Sequence, residues 1–313
     1  MQIKNLYVSA LLASLFIAAG SSSACAQETT APPTSTQDLY SDENLTAWLV
    51  MFTDPTKRTP DERAAMLERL HFKRVGFEAF DKYVPLLESQ MEAYERHGIE
   101  VTSVYVVINT EKPSEESSVK KILEVLQRRK ATPEIWAMFP RGAFQDAPAD
   151  KRLETMITAF TDLAKAVDAA GCRLGLYNYG SWFGEVDMQL AIIDGVRERS
   201  GIRIGTVFNF HRGHQHMQDF PAALERMKPH LMAVNLNGMN LKDAKPSNGN
   251  AIIIPLGQGD HEVTMMKQLA ASGYTGPIGI IDHRSGVDAE EALIANLEGL
   301  KVIRKKLDDP DDD

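Results

Sequence analysis

The chain has 313 residues, a formal net charge of −9 and 43% hydrophobic residues, which suits a globular protein with a large core. An acidic chain without a basic tract is a poor candidate for binding nucleic acid or an anionic membrane, so neither is expected as a partner. The two cysteines form no cluster, which excludes a zinc site built from thiolates.

The N-terminal segment predicts export. Lys4 precedes an apolar stretch of about fourteen residues, and the small residues at 24–26 are typical of a cleavage site. The stretch is too short for a transmembrane helix, which needs roughly twenty apolar residues. We therefore expect a signal peptide over residues 1–26 and a periplasmic or extracellular mature protein without a membrane contact. Lipidation of Cys25 is less favoured, because Ser22 stands where such a signal has a larger aliphatic residue.

Three further segments follow from composition. Residues 27–43 are rich in Thr, Ser, Pro and Gln and predict a flexible leader, and residues 308–313 form an acidic tail. Residues 44–307 have the length of one large α/β domain. Cleavage of the signal peptide leaves Cys172 as the last cysteine, so the mature chain has no intrachain disulfide and depends on its core for stability.

Apolar runs alternate with helical patterns along this domain. The predicted strands span residues 48–52, 74–79, 100–107, 134–138, 173–178, 204–209, 231–236 and 277–282. The predicted helices span residues 60–70, 84–97, 118–129, 151–170, 187–200, 221–227, 263–271 and 289–307.

Eight strand–helix units in about 260 residues match the size and rhythm of a (β/α)8 barrel. A doubly wound open sheet is the alternative, and it would normally show a glycine-rich phosphate loop after its first strand. Residues 52–56 follow the first predicted strand without a glycine. The sequence therefore predicts an α/β protein with a single (β/α)8 barrel domain.

Polar residues follow the predicted strands at their C-terminal ends, where a barrel carries its active site. The clearest case is the sixth and seventh strands, which lead into Asn209 and His211 and into Asn235 and Asn237. Asparagine is disfavoured in strands, so two asparagines at alternate positions indicate a role such as hydrogen bonding to a substrate.

Three segments carry a resemblance to a known family: LYNYGSWFGE at residues 176–185, VFNFHRGH at 207–214 and AVNLNGMN at 233–240. The chain resembles the xylose isomerase-like TIM barrels, a superfamily of sugar isomerases, sugar epimerases and AP-endonuclease-type proteins. It is most similar to secreted bacterial members that are sugar phosphate isomerase/epimerase-like. The resemblance covers nearly the whole mature chain and implies a (β/α)8 barrel that acts on carbohydrates.

Members of this family typically bind a divalent ion through Glu, Asp, His and Glu at the ends of the later strands. The resemblance places these four ligands at Tyr177, Asn209, Asn235 and Ile281. Neutral asparagine is a poor ligand for a hard cation, so the usual metal site of the family is predicted to be dismantled. A divalent metal (Mn, Mg or Zn) therefore stays an open question as a cofactor.

His211, His214 and Glu78 are the remaining weak candidates for metal ligands, since imidazole suits transition metals. The competing interpretation is that His211 alone faces the site while His214 lies in a polar loop. This interpretation is favoured, because neighbouring loop positions rarely converge on a metal without a supporting carboxylate.

Strand alternation predicts which side chains face the mouth of the barrel, where they would bind substrate. The neutral polar groups of this set suit the hydroxyls of a sugar, and Trp182 offers an apolar face to a pyranose ring. The predicted substrate-binding residues are Tyr177, Tyr179, Trp182, Asn209, Asn235 and Asn237.

The resemblance implies proton transfer at a carbon next to a carbonyl, which covers isomerisation, epimerisation and elimination from a 3-keto-glycoside by a lyase. Such chemistry needs a base and a group that stabilises the enolate. His211 is the predicted base and His283 its acid partner, while Lys242 is either a further catalytic group or a solvated lysine.

The sequence thus predicts an exported enzyme that acts on a small carbohydrate, and two alternatives stay open. One is a carbohydrate-binding barrel that has lost the family's metal site and any catalytic activity. The other is AP-endonuclease-like action on DNA, which the acidic charge and the replaced carboxylate ligands disfavour.

Overall fold

A computed structural model of the chain describes residues 36–50, 54–140, 142–144, 146–179, 182–240, 253–284 and 286–308. Eight parallel strands pair in chain order and close into a barrel, in which β1 also pairs with β8. The strands are β1 Leu45–Trp48, β2 Arg74–Glu78, β3 Glu100–Val107, β4 Glu134–Met138, β5 Arg173–Tyr177, β6 Gly205–Asn209, β7 Leu231–Leu236 and β8 Ile278–Ile281.

Helices surround this barrel; the first precedes β1, and each later one follows a strand in turn. They are α1 Thr36–Leu39, α2 Pro60–Arg69, α3 Leu87–Arg96, α4 Ser117–Arg129, α5 Ala149–Ala169, α6 Val186–Ser200, α7 Phe220–Met227, α8 Glu262–Ala271 and α9 Ala289–Asp308. Helix α2 begins with a capping box, in which Thr59 and Glu62 satisfy each other's backbone N–H groups. The closed barrel confirms the predicted fold class.

The first strand is where the predicted elements differ from the structure. The apolar pattern predicts a strand over residues 48–52, whereas β1 ends at Trp48. Leu49 has a φ of 56°, a left-handed conformation that an extended strand does not contain, so the strand cannot continue through it. Leu49 and Val50 are nevertheless buried. The hydrophobic pattern therefore reports burial of this loop rather than a strand.

Two residues at the end of the predicted flexible leader, Leu39 and Tyr40, are buried against the domain. Tyr40 is fully buried, and its hydroxyl donates to the carbonyl oxygen of Met266 at 2.7 Å. The carbonyl oxygen of Tyr40 accepts from Nε of Arg304 at 2.8 Å. These partners lie in α8 and α9, too far along the chain for local composition to reveal them.

The predicted signal peptide at residues 1–26 lies outside the described residues, as does most of the acidic tail at 308–313. Among the described helices, none combines the length and the apolar character needed to cross a membrane.

Aromatic side chains fill the interior of the barrel. The ring centroids of Trp48 and Trp136 lie 4.6 Å apart, and those of Tyr105 and Tyr177 lie 4.8 Å apart. Because β1 and β4 are not neighbours in the sheet, the contact between the two tryptophans crosses the interior. These rings form the floor beneath the C-terminal mouth of the barrel.

Gly76 makes room for this aromatic floor. A Cβ atom at this position would overlap the ring of Trp48 and would lie 2.8 Å from Oγ of Ser103. We expect Gly76→Ala to lower the free energy of unfolding by about 1–3 kcal/mol, because the tryptophan ring must move out of a packed interior. Denaturant unfolding of the variant and the wild type measures this difference.

Ser103→Ala is the matched control for Gly76→Ala. The Ser103 hydroxyl is fully buried and has no hydrogen-bond partner within the described residues, so its removal should change the stability by no more than about 1 kcal/mol. If Gly76→Ala leaves the free energy of unfolding unchanged, the barrel interior can accommodate a Cβ atom at this position, and the prediction is wrong.

Candidate functional site

A chain of asparagine amides joins the ends of β5, β6 and β7. Oδ1 of Asn178 accepts from the backbone N–H of Asn209 at 2.8 Å and from its side-chain amide at 2.5 Å. The side-chain amide of Asn235 donates to Oδ1 of Asn209 at 2.7 Å. All three residues are buried. The amide oxygens of Asn178 and Asn209 are therefore used within the protein, while Oδ1 of Asn235 has no partner among the described residues.

The remaining predicted substrate-binding residues are engaged in different ways. Tyr177 belongs to the aromatic floor, where its hydroxyl accepts from the indole N–H of Trp48 at 3.1 Å. Asn237 turns its amide back onto the carbonyl oxygen of Gly238 at 2.7 Å. The guanidinium of Arg152 lies 4.9 Å from the ring of Trp182. Burial raises the pKa of Tyr177, so its hydroxyl stays neutral.

The structure brings two histidines together at the mouth. His211 lies in a short helical turn directly after β6, and His283 lies two residues after the end of β8. Their ring centroids are 5.2 Å apart and the rings are nearly perpendicular. Nδ1 of His211 is buried and has no hydrogen-bond partner within the described residues.

Both imidazoles are neutral at pH 7. Burial lowers the pKa of His211 well below 6.5, and the charge of Arg212 adds to this shift. Burial likewise lowers the pKa of His283, although a backbone hydrogen bond opposes the shift. A neutral imidazole presents a nitrogen that can accept a proton, so each ring suits the role of a base.

Glu78, the last residue of β2, faces the same interior from the opposite side. It stands in register with Tyr105 of β3, and registered residues of parallel strands point to the same face. In the closed barrel, β2 lies four strands from β6 in either direction. Glu78 and His211 therefore lie across the mouth from each other.

Glu78 is a carboxylic acid rather than a carboxylate at neutral pH. Its side chain is fully enclosed, and Oε2 has no hydrogen-bond partner among the described residues. Burial raises the pKa of Glu78 to about 8, and the charges of Arg63 and Lys82 oppose the shift only in part. The mouth thus holds a proton donor opposite a proton acceptor.

The four positions that the resemblance assigns to a divalent ion do not fit one. The hydroxyl of Tyr177 and Oδ1 of Asn209 already accept hydrogen bonds within the protein, and Ile281 offers no donor atom. Neutral oxygens are also weak ligands for Mn²⁺ or Mg²⁺. The described residues include no group of three His, Cys, Asp or Glu side chains arranged to hold a metal.

The other candidate ligands, His211, His214 and Glu78, do not converge either. Glu78 lies across the barrel from both histidines. Nδ1 of His214 lies 3.3 Å from the backbone carbonyl oxygen of His211, and no metal-binding group of three such side chains is found among the described residues. Lys242, the third predicted catalytic residue, lies outside the described residues.

A buried glutamate holds the loop that follows β7. Glu262 accepts from the backbone N–H groups of Met239 at 3.0 Å, of Gly257 at 3.0 Å and of Gly259 at 2.9 Å. Three N–H donors on one carboxylate satisfy its charge without a cation. Glu262 therefore anchors both ends of the loop that leaves β7 next to Asn235 and Asn237.

Three contributors to the mouth were missed or undervalued by sequence reasoning. Glu78 was predicted only as a weak metal ligand, and Asn178 and Arg212 received no role. Arg212 directly follows His211, and its guanidinium lies 4.3 Å from the ring of Tyr179. Asn178 lies in the quoted motif at residues 176–185 and Arg212 in the one at 207–214, and this position was the available signal.

A separate cavity of about 520 Å³ opens at the other end of the barrel. It is lined by the first residues of β5, β6 and β7, namely Arg173, Gly205 and Leu231, together with residues of α6. Because (β/α)8 barrels carry their chemistry at the C-terminal ends of the strands, this cavity is not the candidate site.

Comparisons with known proteins give one family match and a set of solved structures with the same fold. The family model described as xylose isomerase-like TIM barrel matches residues 71–305 of the chain. A search of curated protein sequences finds no significant match.

Solved structures with the same fold include three informative neighbours. The probable 3-DHS dehydratase AsbF of Bacillus anthracis is 11% identical, with a TM-score of 0.65 over 82% of this chain and 98% of that one. The 3-keto-D-glucoside 4-epimerase YcjR of E. coli is 14% identical, with a TM-score of 0.60 over 83% and 99%. The IOLI protein, solved with a bound zinc atom, is 12% identical, with a TM-score of 0.61 over 84% and 99%.

Proposed function

The chain belongs to the xylose isomerase-like TIM barrel family, and from this premise we propose that it is an enzyme that moves a proton at a carbon next to the carbonyl group of a carbohydrate. Isomerisation, epimerisation and elimination from a 3-keto-glycoside all share this first step. One structural neighbour is a 3-keto-D-glucoside 4-epimerase and another a probable dehydratase, which supports the class of reaction.

The observation that carries the proposal is the opposite tuning of Glu78 and His211 across the mouth. Burial raises the pKa of Glu78 to about 8 and lowers that of His211 well below 6.5. Two titratable groups whose pKa values are pushed apart in this way are suited to act as an acid and a base at neutral pH. His211 was already the base predicted from the sequence.

In the proposed step, His211 accepts the proton from the carbon next to the substrate carbonyl. The electron pair of the broken C–H bond moves toward the carbonyl oxygen, and the carboxylic acid of Glu78 donates a hydrogen bond or its proton to that oxygen. An enediol or enediolate results, and its reprotonation or elimination sets the product. Because Glu78 and His211 lie on opposite sides, the substrate lies between them.

The acid role thereby moves from His283 to Glu78. His283 was the predicted acid, but burial lowers its pKa and leaves it neutral at pH 7. Its ring lies against that of His211, so we propose that His283 orients the base and hydrogen-bonds the substrate. The unpartnered Oδ1 of Asn235 offers an acceptor to a substrate hydroxyl on the same side.

No step of this mechanism passes through a metal ion, because the donor atoms at the family's ligand positions do not suit one. The zinc atom of the IOLI neighbour belongs to that protein's own site.

We also propose that the mature chain is exported, on the basis of the signal peptide predicted at residues 1–26. The N-terminal sequence of the exported protein tests this proposal.

Exchange of carbon-bound hydrogen in heavy water tests the proposed function. We expect the protein to catalyse loss of the NMR signal at the carbon next to the carbonyl in a keto-sugar or 3-keto-glycoside. The rate should stay the same in EDTA and after addition of Mn²⁺, since Glu78 and His211 need no ion for this step. Full loss of exchange in EDTA, with recovery by Mn²⁺, would contradict the mechanism.

A carbohydrate-binding barrel without activity is the second candidate, favoured by the replaced metal ligands at Tyr177, Asn209, Asn235 and Ile281. It predicts saturable binding of a sugar without any exchange of its hydrogens. Exchange that depends on Glu78 and His211 excludes this candidate.

A further inference from the structure

Arg212 places a positive charge in the mouth of the barrel. It lies directly after His211, is half-buried, and its guanidinium is 4.3 Å from the ring of Tyr179. Its charge lowers the pKa of His211 and of His283, which shows that it acts on the groups of the proposed site. The same charge also acts on Tyr177 in the floor.

The described part of the chain supplies no anion for this guanidinium. Arg212 forms neither an ion pair nor a hydrogen bond with any described side chain, and its Nε atom is buried without a partner. Its stacking on Tyr179 is a cation–π contact, which attracts the charge but does not neutralise it. A partly buried charge without a counterion is costly unless a ligand supplies one.

The acidic groups near the mouth have other partners. Asp282 pairs with Arg284 at 2.9 Å and accepts from the amide of Asn296 at 2.8 Å. Glu185 lies 3.6 Å from His216. Glu78 holds a proton at neutral pH, since burial raises its pKa to about 8. Among the described residues, no acidic side chain is therefore paired with Arg212, and its guanidinium is available to an anionic group of a ligand.

We propose that the substrate is a carbohydrate that carries a carboxylate, and that Arg212 binds this carboxylate. The proposal rests on the proposed function and names the class of substrate at the same site. The guanidinium lies over the ring of Tyr179, and its planar set of N–H donors matches a carboxylate, which can accept two parallel hydrogen bonds from it. A neutral sugar would leave the charge unpaired.

Binding of a carboxylate would also act on the base. The charge of Arg212 disfavours protonation of the nearby His211, and a bound anion offsets this charge. His211 therefore becomes a stronger base when the substrate is in place than in the free enzyme. The arrangement links recognition of the anionic group to the proton transfer.

Calorimetric titration with three matched probes tests the proposal: D-glucuronate, D-glucose and D-glucose 6-phosphate. We expect D-glucuronate to bind the wild type at least about tenfold more tightly than D-glucose, because a charged hydrogen-bonded pair is worth that factor or more. Arg212→Gln should weaken the binding of D-glucuronate by about 10- to 100-fold and leave the affinity for D-glucose unchanged. Arg212→Lys should give an intermediate loss, since it keeps the charge without the planar fork.

Arg226→Gln is the control for the change in net charge. Arg226 lies on α7 and pairs with Asp187, so the variant loses one positive charge away from the mouth. It should bind D-glucuronate like the wild type. Equal affinity of the wild type for D-glucuronate and D-glucose would overturn the proposal, as would an unchanged preference in Arg212→Gln. Tighter binding of D-glucose 6-phosphate than of D-glucuronate would overturn it in favour of a phosphate.

These outcomes are separable from those of the proposed function. If the site does not catalyse proton exchange, the preference for D-glucuronate and its dependence on Arg212 are still measured by calorimetry. If instead the carboxylate has no role, the wild type catalyses exchange on neutral keto-sugars but binds D-glucuronate no more tightly than D-glucose.

Discussion

Replacement of Glu78 by glutamine is expected to lower the rate of hydrogen exchange at the substrate carbon by about 100- to 10,000-fold, the usual worth of a positioned acid or base. Glutamine has nearly the same shape but carries no transferable proton, so the carbonyl oxygen loses its donor. The comparison of exchange rates by NMR in heavy water measures the loss. Wild-type exchange should fall as the pH rises through about 8, where Glu78 ionises, and this alkaline limb should be absent from the variant.

The same substitution is expected to stabilise the protein at alkaline pH. The folded-state pKa of Glu78, about 8, lies above its ordinary value of 4.5, so the folded protein retains a proton that the unfolded chain has released. The contribution of Glu78 to the stability of the folded protein is thus fully present below pH 4.5 and is lost as the pH rises through about 8. From pH 4.5 to about pH 8, the free energy of unfolding of Glu78→Gln should rise relative to that of the wild type by about 5 kcal/mol.

Glu134→Gln is a matched control for the exchange measurement. Burial also raises the pKa of Glu134, but this residue begins β4, at the end of the barrel away from the mouth, and its carboxylate accepts from the indole of Trp136 at 2.9 Å. Its exchange rate should equal that of the wild type. Exchange at the wild-type rate in Glu78→Gln would refute the role of Glu78 as the acid. An equal pH dependence of stability in Glu78→Gln and the wild type would refute the raised pKa of Glu78.

Replacement of His211 by glutamine is expected to lower exchange by a similar factor, about 100- to 10,000-fold, because the variant has no base at the end of β6. Since burial lowers the pKa of His211 well below 6.5, the wild-type rate should stay level as the pH falls through 6.5. A steep loss of rate near pH 6.5 would instead indicate a histidine with an ordinary pKa. The pH profile of exchange decides between these outcomes.

His214→Gln serves as the control for a buried histidine in the same loop. His214 lies against the backbone carbonyl of His211 rather than against His283, so its loss should leave the exchange rate within about threefold of the wild type. If His214→Gln and His211→Gln lose exchange equally, the loop as a whole rather than the His211 imidazole carries the effect.

The opposite pKa shifts of Glu78 and His211 also explain why the mouth is costly to fold. Each shift arises because burial disfavours the charged form, and the charges of Arg63 and Lys82 offset the burial of Glu78 only in part. Enzymes commonly hold such groups at the expense of stability, since the chemistry needs them. A stabilising substitution at Glu78 that abolishes exchange would be the direct sign of this trade-off.

The order of the strands and helices could be predicted well from the sequence. Seven of the eight strands begin and end within about one residue of the predicted bounds, because buried parallel strands are short apolar runs between helical patterns. The exception, β1, shows the limit of this signal. Leu49 and Val50 are as apolar as strand residues and are buried, but the left-handed φ of Leu49 has no apolar signature.

The candidate site was predicted only in part. Alternation along β6 and β7 pointed to Asn209 and Asn235, and the quoted motifs contained His211. What these residues do depends on partners far along the chain: the amide of Asn235 is bonded to Asn209, and the ring of His211 lies against His283, 72 positions later in the numbering. No local pattern specifies such pairs, because they arise only when the barrel closes.

The barrel and the end of it that carries the polar residues follow from the sequence, which also predicts neutral side chains, Asn209 and Asn235, at two positions that the resemblance assigns to metal ligands. The tertiary structure alone decided that Glu78 is an acid and that Arg212 lacks a counterion in the described part of the chain. The physical reason is that periodicity and residue type are local, whereas a pKa and a counterion depend on burial and on charges from strands that meet only in the closed barrel.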